Sequence, residues 1–586
     1  MYLFMKKWML LRKSADFDSI AKKYGISPFL ARVIRNRDIV TDEEINAYLN
    51  GTLDDMHDPF LIKDMEKAAS FISDAILNNK KIRIVGDYDI DGVCATAILV
   101  KSLSFFGADV SYRLPDRIVD GYGINITMID EAKADNVDLI VTCDNGIAAS
   151  AEMKYAKELG IDVIVTDHHE IPFEEINDKK VYIIPEAIAV VDPHQENDTY
   201  PFAGICGGMV AYKLILAINN LGKLNKNITP DLREYITTLA AFATVGDIMQ
   251  LKDENRIVVK YGIDMLKRTT VPGLRALIDV TETKRERISA YTIGFVLGPC
   301  VNAVGRLESA NKALELLLTD DNDTALSLAK ELKSANDVRK AMTEQKIKEA
   351  SDIVTEGINN HDYSKDTVLV IFLENCHESI AGLVASRIRE RFSKPTLVIT
   401  STEGGAKGSG RSIDAYNMYE ELTKVKHLFT KFGGHPMAAG LSMPVENIDE
   451  LRKLLNENST LTEDDLVEKL SIDIDMPINY VTMDMVKELS LLEPFGNGNP
   501  GPVFAQKNLE ILSRRTTKNR NMVFFNLKSG AVNNLPEKII EAKYFGDADE
   551  VFSNLSGRDT ITVAYTPDIN SYMGVDTLQI SIREYL

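Results

Sequence analysis

Acidic and imidazole side chains follow directly after three apolar segments in the first half of the chain. They are Asp87, Asp89 and Asp91 after KIRIVG, Asp144 after DLIVTC, and Asp167, His168 and His169 after DVIVT. Carboxylates that lie close together repel one another, and burying them without a partner is costly. Carboxylate-rich ligation with one or two histidines suits Mn²⁺ or Mg²⁺ better than zinc. The pattern therefore predicts a site for divalent cations.

Two divalent cations would give this site a defined chemistry. When they lie about 3.5–4 Å apart, they lower the pKa of a bridging water and hold a phosphate for in-line attack. A competing interpretation is that an acid such as Asp87 or Asp91 only caps the helix that follows its strand. Helix caps do not account for His168 and His169, so metal ligation is the preferred interpretation.

These side chains meet only if the apolar segments form a parallel sheet. Five short apolar runs predict buried strands, at 81–86, 108–114, 138–143, 162–167 and 187–192. Amphipathic stretches at 92–106 and 148–160 lie between them, which indicates βαβ units with helices on both faces. Because the carboxyl ends of parallel strands share one edge, where ligands bind, the acids are expected to meet in a single crevice.

The rest of the chain predicts three further elements of organisation. Residues 322–356 have the periodicity of one long helix, of the kind that bridges domains. Strands at 367–373 and 395–400 flank a helix at 379–392 and indicate a second α/β unit. From about residue 503 short alternating runs indicate a small all-β domain such as a barrel. The expected fold class is α/β with an all-β domain at the end.

Composition narrows the class of protein. The chain has 586 residues, 45% of them hydrophobic and 26% charged, which predicts several globular domains. No run approaches the roughly 18 apolar residues of a membrane helix, and charges interrupt the first apolar stretch, so neither a membrane protein nor a secretion signal is expected. Five scattered cysteines fit a reducing cytoplasm. The net charge of −20 is unusual for a nucleic-acid enzyme, although bound cations would reverse the field of their carboxylates.

The strand-end motifs resemble those of the DHH phosphoesterase superfamily. Asp89-x-Asp91-Gly92, Asp144-Asn145-Gly146 and Asp167-His168-His169 are similar to its first three motifs, and ATVGDIMQL (243–251) is similar to the fourth. The resemblance implies that the metal ligands are Asp89, Asp91, Asp144, His168 and Asp247. It also implies that His169 faces the scissile phosphate. Val85 stands where some members have a histidine, so Asp87 is expected to substitute as a ligand.

Later motifs resemble those of RecJ-like exonucleases within this superfamily. They are VNAVGRLESA (301–310), CHESIAGLVASRI (376–388) and LEPFGNGNPGPVF (492–504). Two glycine-rich stretches fit the superfamily more broadly: KFGGHPMAAG (431–440) resembles the signature of the DHH-associated domain, and GSGRS (408–412) resembles a second phosphate-binding strand. The resemblance implies catalytic roles for His169, Asp144 and Arg306. It implies substrate-binding roles for His377, Arg387, Ser409, Arg411, Gly433, Gly434 and His435.

The resemblance also implies a domain organisation. It consists of an N-terminal leader (1–45), a DHH catalytic domain (46–320), a connecting helix (321–356), a DHH-associated substrate-binding domain (357–460) and an OB-fold domain (461–586). The chain departs from the family pattern at three places: the resemblance expects Asn-Pro at Asp192-Pro193, arginine at Cys300, and Trp-His-x-Gly at the four residues that begin with Cys376. These departures leave the metal chemistry intact and bear on substrate affinity.

The implied function is a 5′-to-3′ exonuclease that hydrolyses single-stranded DNA with two Mn²⁺ or Mg²⁺ ions, in DNA repair and recombination. The expected protein is a cytoplasmic monomer that works with a helicase and a single-strand-binding protein. Three alternatives stay open. They are a phosphodiesterase for short oligoribonucleotides or cyclic dinucleotides, an inorganic pyrophosphatase, and a binding module without activity. The extra β-rich tail and the complete set of acids favour the exonuclease.

Overall fold

The computed structural model describes residues 6–117, 119–176, 179–360, 362–572 and 574–586. The chain divides into two compact units. The parallel-sheet unit consists of Asp42–Arg339 and Glu493–Pro500. The composite unit consists of the residues up to Thr41, Lys340–Leu492 and Gly501–Leu586. Among the described residues, no helix has both the length and the apolar character needed to cross a membrane.

The first elements of the chain belong to the composite unit. They are strand β1 (Lys7–Leu10) and helices α1 (Phe17–Tyr24) and α2 (Pro28–Asn36). Strand β1 pairs in parallel with the later segment Lys469–Ile472. Trp8 packs against a small core that contains Ala505 and Ala564. The segment predicted as a leader therefore has partners about 460 residues further along the chain.

The parallel-sheet unit is an α/β structure followed by a helical half. Its elements are α3 (Asp42–Asn50), α4 (Met65–Leu77), β2 (Lys81–Val85), α5 (Ile90–Phe106), β3 (Asp109–Arg113), α6 (Ile126–Ala134), β4 (Leu139–Thr142), α7 (Ser150–Glu158), β5 (Asp162–Thr166), β6 (Phe173–Ile176), β7 (Lys179–Tyr182), β8 (Ala189–Val191), α8 (Gly207–Leu221), α9 (Pro230–Gly246), α10 (Asp253–Arg268), α11 (Pro272–Val280), α12 (Ala290–Thr292), a π-helix (Ile293–Leu297), α13 (Gly298–Leu307), α14 (Asn311–Leu318) and the first half of the long helix α15 (Asn322–Asn359), whose residues from Lys340 onward belong to the composite unit.

The main sheet has the strand order β3-β2-β4-β5-β8, and every neighbouring pair is parallel. Its central strands are buried on both faces, which is why their sequences are continuous apolar runs rather than alternating ones. One face packs in the large core against α5, which is buried along most of its length. The other face packs in a second core that includes Val85, Ile140 and Val165. The predicted parallel sheet is confirmed.

The composite unit contains a second, mixed sheet. Its elements are β9 (Leu369–Phe372), α16 (Glu378–Phe392), β10 (Thr396–Thr402), β11 (Gly405–Arg411), α17 (Met418–Lys424), β12 (Lys431–His435), β13 (Ala438–Met443) and α18 (Ile448–Asn458). The strand order is β12-β13-β11-β10-β9, and only β9 and β10 pair in parallel. Both glycine-rich motifs therefore form strands of this sheet.

The same unit ends in a small barrel. After β14 (Lys469–Ile472), which pairs with β1, the elements of this region are β15 (Ile474–Asp475), α19 (Met483–Leu489), β16 (Phe504–Thr516), β17 (Met522–Ser529), β18 (Lys538–Phe545), α20 (Ala548–Asn554), β19 (Thr560–Tyr572) and β20 (Val575–Tyr585). The order is β15-β16-β17-β18-β20-β19, and a further pairing of β16 with β19 closes the sheet on itself. This arrangement confirms the predicted all-β domain.

Asp473 links the N-terminal segment to the barrel, which gives a test of the leader's structural role. Its Oδ1 accepts from the Asn36 side-chain amide (3.1 Å) and lies 3.6 Å from an Arg37 guanidinium nitrogen, and its Oδ2 accepts from the Val503 N–H (3.0 Å). We expect Asp473→Ala to lower the free energy of unfolding by about 3 kcal/mol, because a buried carboxylate with three partners is lost. Denaturant unfolding of the full chain measures the loss.

The control for this change is Asp464→Ala, which removes an exposed carboxylate 2.9 Å from Lys7 Nζ. Exposed ion pairs contribute little, so this variant should unfold like the parent. Equal stability of the Asp473→Ala variant and the parent would contradict the account of this junction.

Candidate metal centre and substrate face

The strand ends of the main sheet position the acids at one edge. Asp87 follows β2, Asp144 follows β4, and His168 follows β5. The backbone is tight at this edge: a Cβ on Gly92 would lie 2.6 Å from the Asp87 backbone nitrogen. Asp144 itself has a left-handed φ of 62°. A non-glycine residue in that region is uncommon and is found where the surroundings demand a particular side-chain position.

All six predicted metal ligands lie in groups close enough to hold a cation. Within each group the ligand atoms lie within 4.8 Å of one another, and the groups are Asp87, Asp89 and Asp144; Asp91, His168 and Asp247; and Asp144, His168 and His169. The first two groups meet where His168 Nε2 lies 3.1 Å from Asp144 Oδ1. The geometry is that of two adjacent sites with a shared boundary.

The burial of these carboxylates makes them suited to a cation. Asp87 is 1% exposed, and its Oδ2 has no hydrogen-bond partner among the described residues. Burial and the neighbouring carboxylates raise the pKa values of Asp87 and Asp144 well above the ordinary range. The same causes raise the pKa of Asp247 to about 8. A divalent cation would satisfy the orphaned oxygen and offset the repulsion, so the residues fit such an ion.

Two of the acids also hold helix N-termini, so the capping interpretation is partly right. Asp89 Oδ1 accepts from the backbone N–H groups of Asp91 (2.9 Å) and Gly92 (3.2 Å) at the start of α5. The two Asp91 oxygens accept from Gly207 and Gly208 at the start of α8, each at 2.7 Å. A carboxylate has about four acceptor positions, so capping and ligation are compatible.

Asp167 positions the two histidines instead of joining the cluster of ligands. Its Oδ1 accepts from the His168 N–H (2.7 Å) and contacts His169 Nδ1 (2.7 Å), and its Oδ2 accepts from the Ile147 N–H (3.0 Å). Although burial opposes the imidazolium, the bond to Asp167 raises the pKa of His169 to about 9. Burial lowers the pKa of His168, which favours the neutral form that ligates metals.

Tyr122 is a member of the site that the sequence analysis missed. Its hydroxyl donates to the Asp144 backbone carbonyl at 2.7 Å and lies 3.2 Å from His169 Nε2. It therefore connects a predicted ligand with the predicted phosphate-facing histidine. Tyr122 lies in a loop after β3 with no recognisable motif, so the sequence carried no signal for it.

Arg306 lies close to two other guanidinium side chains and to the loop that carries Asp87 and Asp89. Burial and the neighbouring charges of Arg117 and Arg339 lower the pKa of Arg306 to about 10. A Cβ on Gly305 would lie 2.4 Å from the Tyr88 carbonyl, so α13 packs tightly on the loop that carries Asp87 and Asp89. Like-charged side chains held together in this way favour binding of an anion such as a phosphate.

The structure accounts for the departure at Cys300. The Asn336 side-chain amide donates to Cys300 Sγ (3.4 Å), and Asn336 Oδ1 accepts from Arg339 Nε (3.2 Å) and Nη2 (2.9 Å). Helix α15 thereby brings the guanidinium of Arg339 to the neighbourhood of a position where the resemblance expects arginine. Asp192, the fourth strand-end acid, is fully buried, and its Oδ1 accepts from the His194 N–H at 2.8 Å.

The segment Glu493–Pro500 braces the loop that begins at Asp247. Asn497 Nδ2 donates to the Ile248 carbonyl, and the Asn497 carbonyl accepts from the Leu251 N–H, both at 2.7 Å. Asn499 accepts from the Tyr48 hydroxyl at 2.9 Å. The sequence analysis identified this stretch only as a motif preceding the β domain. Two of the residues that it contacts, Ile248 and Tyr48, lie 249 and 451 positions away along the chain, so no local pattern indicates these contacts.

Four of the predicted substrate-binding residues share one face of the mixed sheet. Arg411 and His435 are both register partners of Ala438, and Ser409 and Gly433 are both partners of Gly440. Residues two apart on a strand point to the same side, so Ser409, Arg411, Gly433 and His435 form one surface. A Cβ on Gly433 would meet no described atom within 4 Å, so this face is open around the glycine. Gly434, between them, has a φ of 156°.

His377 and Arg387 are placed differently. His377 Nδ1 accepts from the Ser379 N–H at 3.3 Å and caps α16. A Cβ on Gly382 of that helix would lie 2.7 Å from Arg411 Nη2, so α16 borders the open face. Arg387 is exposed and pairs with Glu390 at 2.7 Å.

Comparisons with known proteins identify the family and the domains of this chain. Residues 81–244 match the DHH family, N-terminal domain, residues 365–459 match the DHHA1 domain, and residues 472–584 match the RecJ OB domain. The single-stranded-DNA-specific exonuclease RecJ of Salmonella typhimurium is 30% identical over 594 residues, 99% of each chain. This chain belongs to the RecJ family.

Two further members of the RecJ family show the extent of the likeness. The RecJ exonuclease of Bacillus subtilis is 37% identical over 502 residues, which are 85% of this chain and 61% of that relative. The crystal structure of RecJ from Thermus thermophilus in complex with Mn²⁺ has a TM-score of 0.81 and 26% identity. The match covers 99% of this chain and 79% of the other. The family and the fold inferred from the motifs are confirmed.

The brace on the Asp247 loop predicts a defect in metal binding. Because Asn497 holds the loop that begins with a candidate ligand, Asn497→Ala should weaken Mn²⁺ binding about tenfold, as loss of a group that orients a ligand commonly does. Isothermal titration with Mn²⁺ measures the change. Asn533→Ala removes an exposed amide that donates to the Tyr480 hydroxyl at 3.1 Å and serves as the control. Equal Mn²⁺ affinity of the Asn497→Ala variant and the parent would show that the loop needs no brace.

Proposed function

We propose that this chain is a 5′-to-3′ exonuclease that hydrolyses single-stranded DNA at two divalent cations, Mn²⁺ or Mg²⁺. The observation that carries the proposal is the meeting of six carboxylate and imidazole ligands in two adjacent groups at one sheet edge. Its membership of a family whose relatives are named as single-stranded-DNA-specific exonucleases supports the substrate. The direction of digestion rests on the family resemblance.

Each of the two groups of ligands would hold one cation. Asp87, Asp89 and Asp144 would hold one cation, and Asp91, His168 and Asp247 the other, with Asp144 at their boundary. When bound, the cations supply a water of lowered pKa and neutralise the phosphate oxygens during in-line attack. Asp87 takes the place of the histidine that some members carry at the position of Val85.

The side chains around the cations bind and orient the phosphodiester. We assign His169 to the scissile phosphate: Asp167 holds Nδ1 at 2.7 Å, and Nε2, which lies 3.2 Å from the Tyr122 hydroxyl, would exchange that contact for a phosphate oxygen of the substrate. Its protonated form would offset the negative charge of the phosphate oxygens in the transition state. Arg306 supplies a second positive charge, and its position is kept by the packing of α13 on the loop of Tyr88.

The open face of the mixed sheet is assigned to the DNA backbone. Ser409, Arg411 and His435 offer donors, and Gly433 and Gly434 allow close approach of backbone N–H groups. His377 and Arg387 are assigned to the same substrate-binding domain, 357–460. The barrel domain, 461–586, would bind the strand further from the cut, as OB-folds bind single strands.

The main alternative is a phosphodiesterase for short oligoribonucleotides or cyclic dinucleotides. Such enzymes need only the metal site and the glycine-rich face. The closed barrel formed by β16 to β20 has no role with a dinucleotide, so the longer single strand is the better substrate. The net charge of −20 is compatible with this, because the site's carboxylates face cations and not DNA.

The cellular setting is also part of the proposal. The five cysteines are free and buried, which suits the reducing cytoplasm. A monomer would carry one complete set of motifs. Because single strands are scarce in duplex DNA, we propose that a helicase and a single-strand-binding protein supply the substrate.

Replacing Asp144 tests the metal site. Asp144→Asn keeps the shape of the side chain but removes the charge that belongs to one group and lies 3.1 Å from His168 of the other, so hydrolysis of end-labelled single-stranded DNA should fall below detection. In chelator the variant should have a higher thermal midpoint than the parent, because one member of a like-charged cluster is gone. Asp264→Asn, which changes an exposed acid on α10, is the control for both measurements. A folded Asp144→Asn protein with normal turnover would refute the two-cation proposal.

Replacing His435 separates substrate binding from metal binding. If its ring donates to a substrate phosphate, His435→Ala removes a charge-assisted hydrogen bond of about 1.5–3 kcal/mol. The expected result is a loss in kcat/KM of roughly ten- to hundredfold, which is what that energy implies, with unchanged Mn²⁺ affinity. His427→Ala changes another exposed histidine of the same domain and should leave both constants unchanged. A parallel loss of Mn²⁺ affinity in the His435→Ala variant would place this histidine at the metals instead.

A further inference from the structure

Two aromatic rings stack on each other at the surface of the parallel-sheet unit. Tyr291 is 66% exposed and Phe295 is 59% exposed. Their ring centroids are 4.7 Å apart and their planes differ by 23°. Single exposed apolar residues are common on protein surfaces. A stacked pair is a different feature, because together the rings present a flat aromatic surface to solvent.

The backbone that carries these rings is unusual. Phe295 lies in the π-helix Ile293–Leu297, which runs directly from α12 and into α13. Ile293 and Leu297 are fully buried, so the opposite side of the segment is fixed in the core while Phe295 points outward. π-helical turns are rare and are found most often at functional sites.

The segment packs against the start of α5 and the end of α9, next to candidate metal ligands. A Cβ on Gly298 would lie 3.0 Å from Cδ1 of Ile90, which stands between Asp89 and Asp91 in the chain. A Cβ on Gly294 would lie 3.5 Å from Cγ1 of Val245, two residues before Asp247. The rings therefore project from a segment that packs against side chains next in the chain to candidate ligands of both groups.

The chain leading into the rings carries positive charge. Lys284, Arg285 and Arg287 lie within seven residues of Tyr291, with the acid Glu286 among them. Arg285 pairs with Asp279 at 3.5 Å, at the exposed end of α11. Proteins that bind single strands combine basic residues for the phosphates with aromatic rings for the bases, and this segment of the chain carries both.

From these observations we infer that Tyr291 and Phe295 form a stacking platform for bases of the DNA strand close to the end being cut. The inference rests on the proposed function and adds a binding subsite to it. This subsite would accept any DNA sequence, since every base has a π-face that can stack on an aromatic ring. A docked protein is the less favoured occupant, because the exposed pair offers only two rings in a segment that also carries basic residues, and not a wide apolar patch.

The platform is tested by combining substitutions in the protein with abasic sites in the DNA strand. In an Asp144→Ala background, which prevents digestion, binding of a 5′-phosphorylated strand of about 12 nucleotides is measured by fluorescence anisotropy with Mn²⁺. One base at a time is replaced by an abasic site. We expect one or two positions at which the missing base weakens binding about fivefold or more. In the Tyr291→Ala/Phe295→Ala variant the intact strand should bind more weakly by a similar factor, and the same abasic positions should have no further effect.

The exchange variant Tyr291→Phe/Phe295→Tyr keeps both rings and is the matched control, and it should reproduce the parent's pattern. The thermal midpoint of each variant is measured as well, so that weaker DNA binding is not confused with unfolding of the protein. If the alanine variant binds every strand as the parent does, the platform is refuted. The platform is equally refuted if the alanine variant changes only the sedimentation coefficient of the protein, because the rings would then contact another protein chain.

The outcome separates this inference from the proposed function. Digestion of single-stranded DNA by the chain with Asp144 intact tests the function alone. If that chain digests DNA and the abasic pattern is the same with and without the rings, the function stands and the platform fails. If it digests no DNA and the pattern still depends on the rings, the platform stands and the exonuclease proposal fails.

Discussion

The repulsion among buried carboxylates at one sheet edge is the constraint on which the rest of this structure depends. Asp87, Asp89, Asp91 and Asp144 come together because parallel strands end at a common edge. Burial increases the free energy needed to ionise them, and the raised pKa of Asp247 at the edge of the cluster reflects this. Bound divalent cations would neutralise these charges and remove the repulsion. Because the ligands are already assembled, cation binding requires little rearrangement of the protein.

A second layer of contacts holds this unfavourable cluster in place. The N-termini of α5 and α8 donate to Asp89 and Asp91, so helix dipoles offset part of the negative charge. Ile90 stands between Asp89 and Asp91 in the chain, and the Asn302 side chain accepts from its N–H at 2.8 Å, which fixes the backbone at this point. Asn497 fixes the loop after Asp247. The precision of the site therefore depends on residues outside the predicted set of metal ligands.

The sequence predicted those parts of the structure that local patterns encode. Buried parallel strands leave continuous apolar runs, so strands such as β2 and β4 could be recognised, and with them the shared edge. The contact of Asp91 with Gly207, the brace by Asn497 and the pairing of β1 with β14 were not predicted, because each joins residues more than a hundred positions apart. The roles of the individual side chains remain hypotheses that the geometry supports.

The central claim is that two cations lie side by side between the two groups of ligands. Anomalous diffraction at the manganese absorption edge, from crystals grown with Mn²⁺, tests this most directly. The account predicts two peaks about 3.5–4 Å apart, one bounded by Asp87, Asp89 and Asp144 and the other by Asp91, His168 and Asp247. The absence of any peak at this sheet edge, or a single ion bound elsewhere, would contradict it.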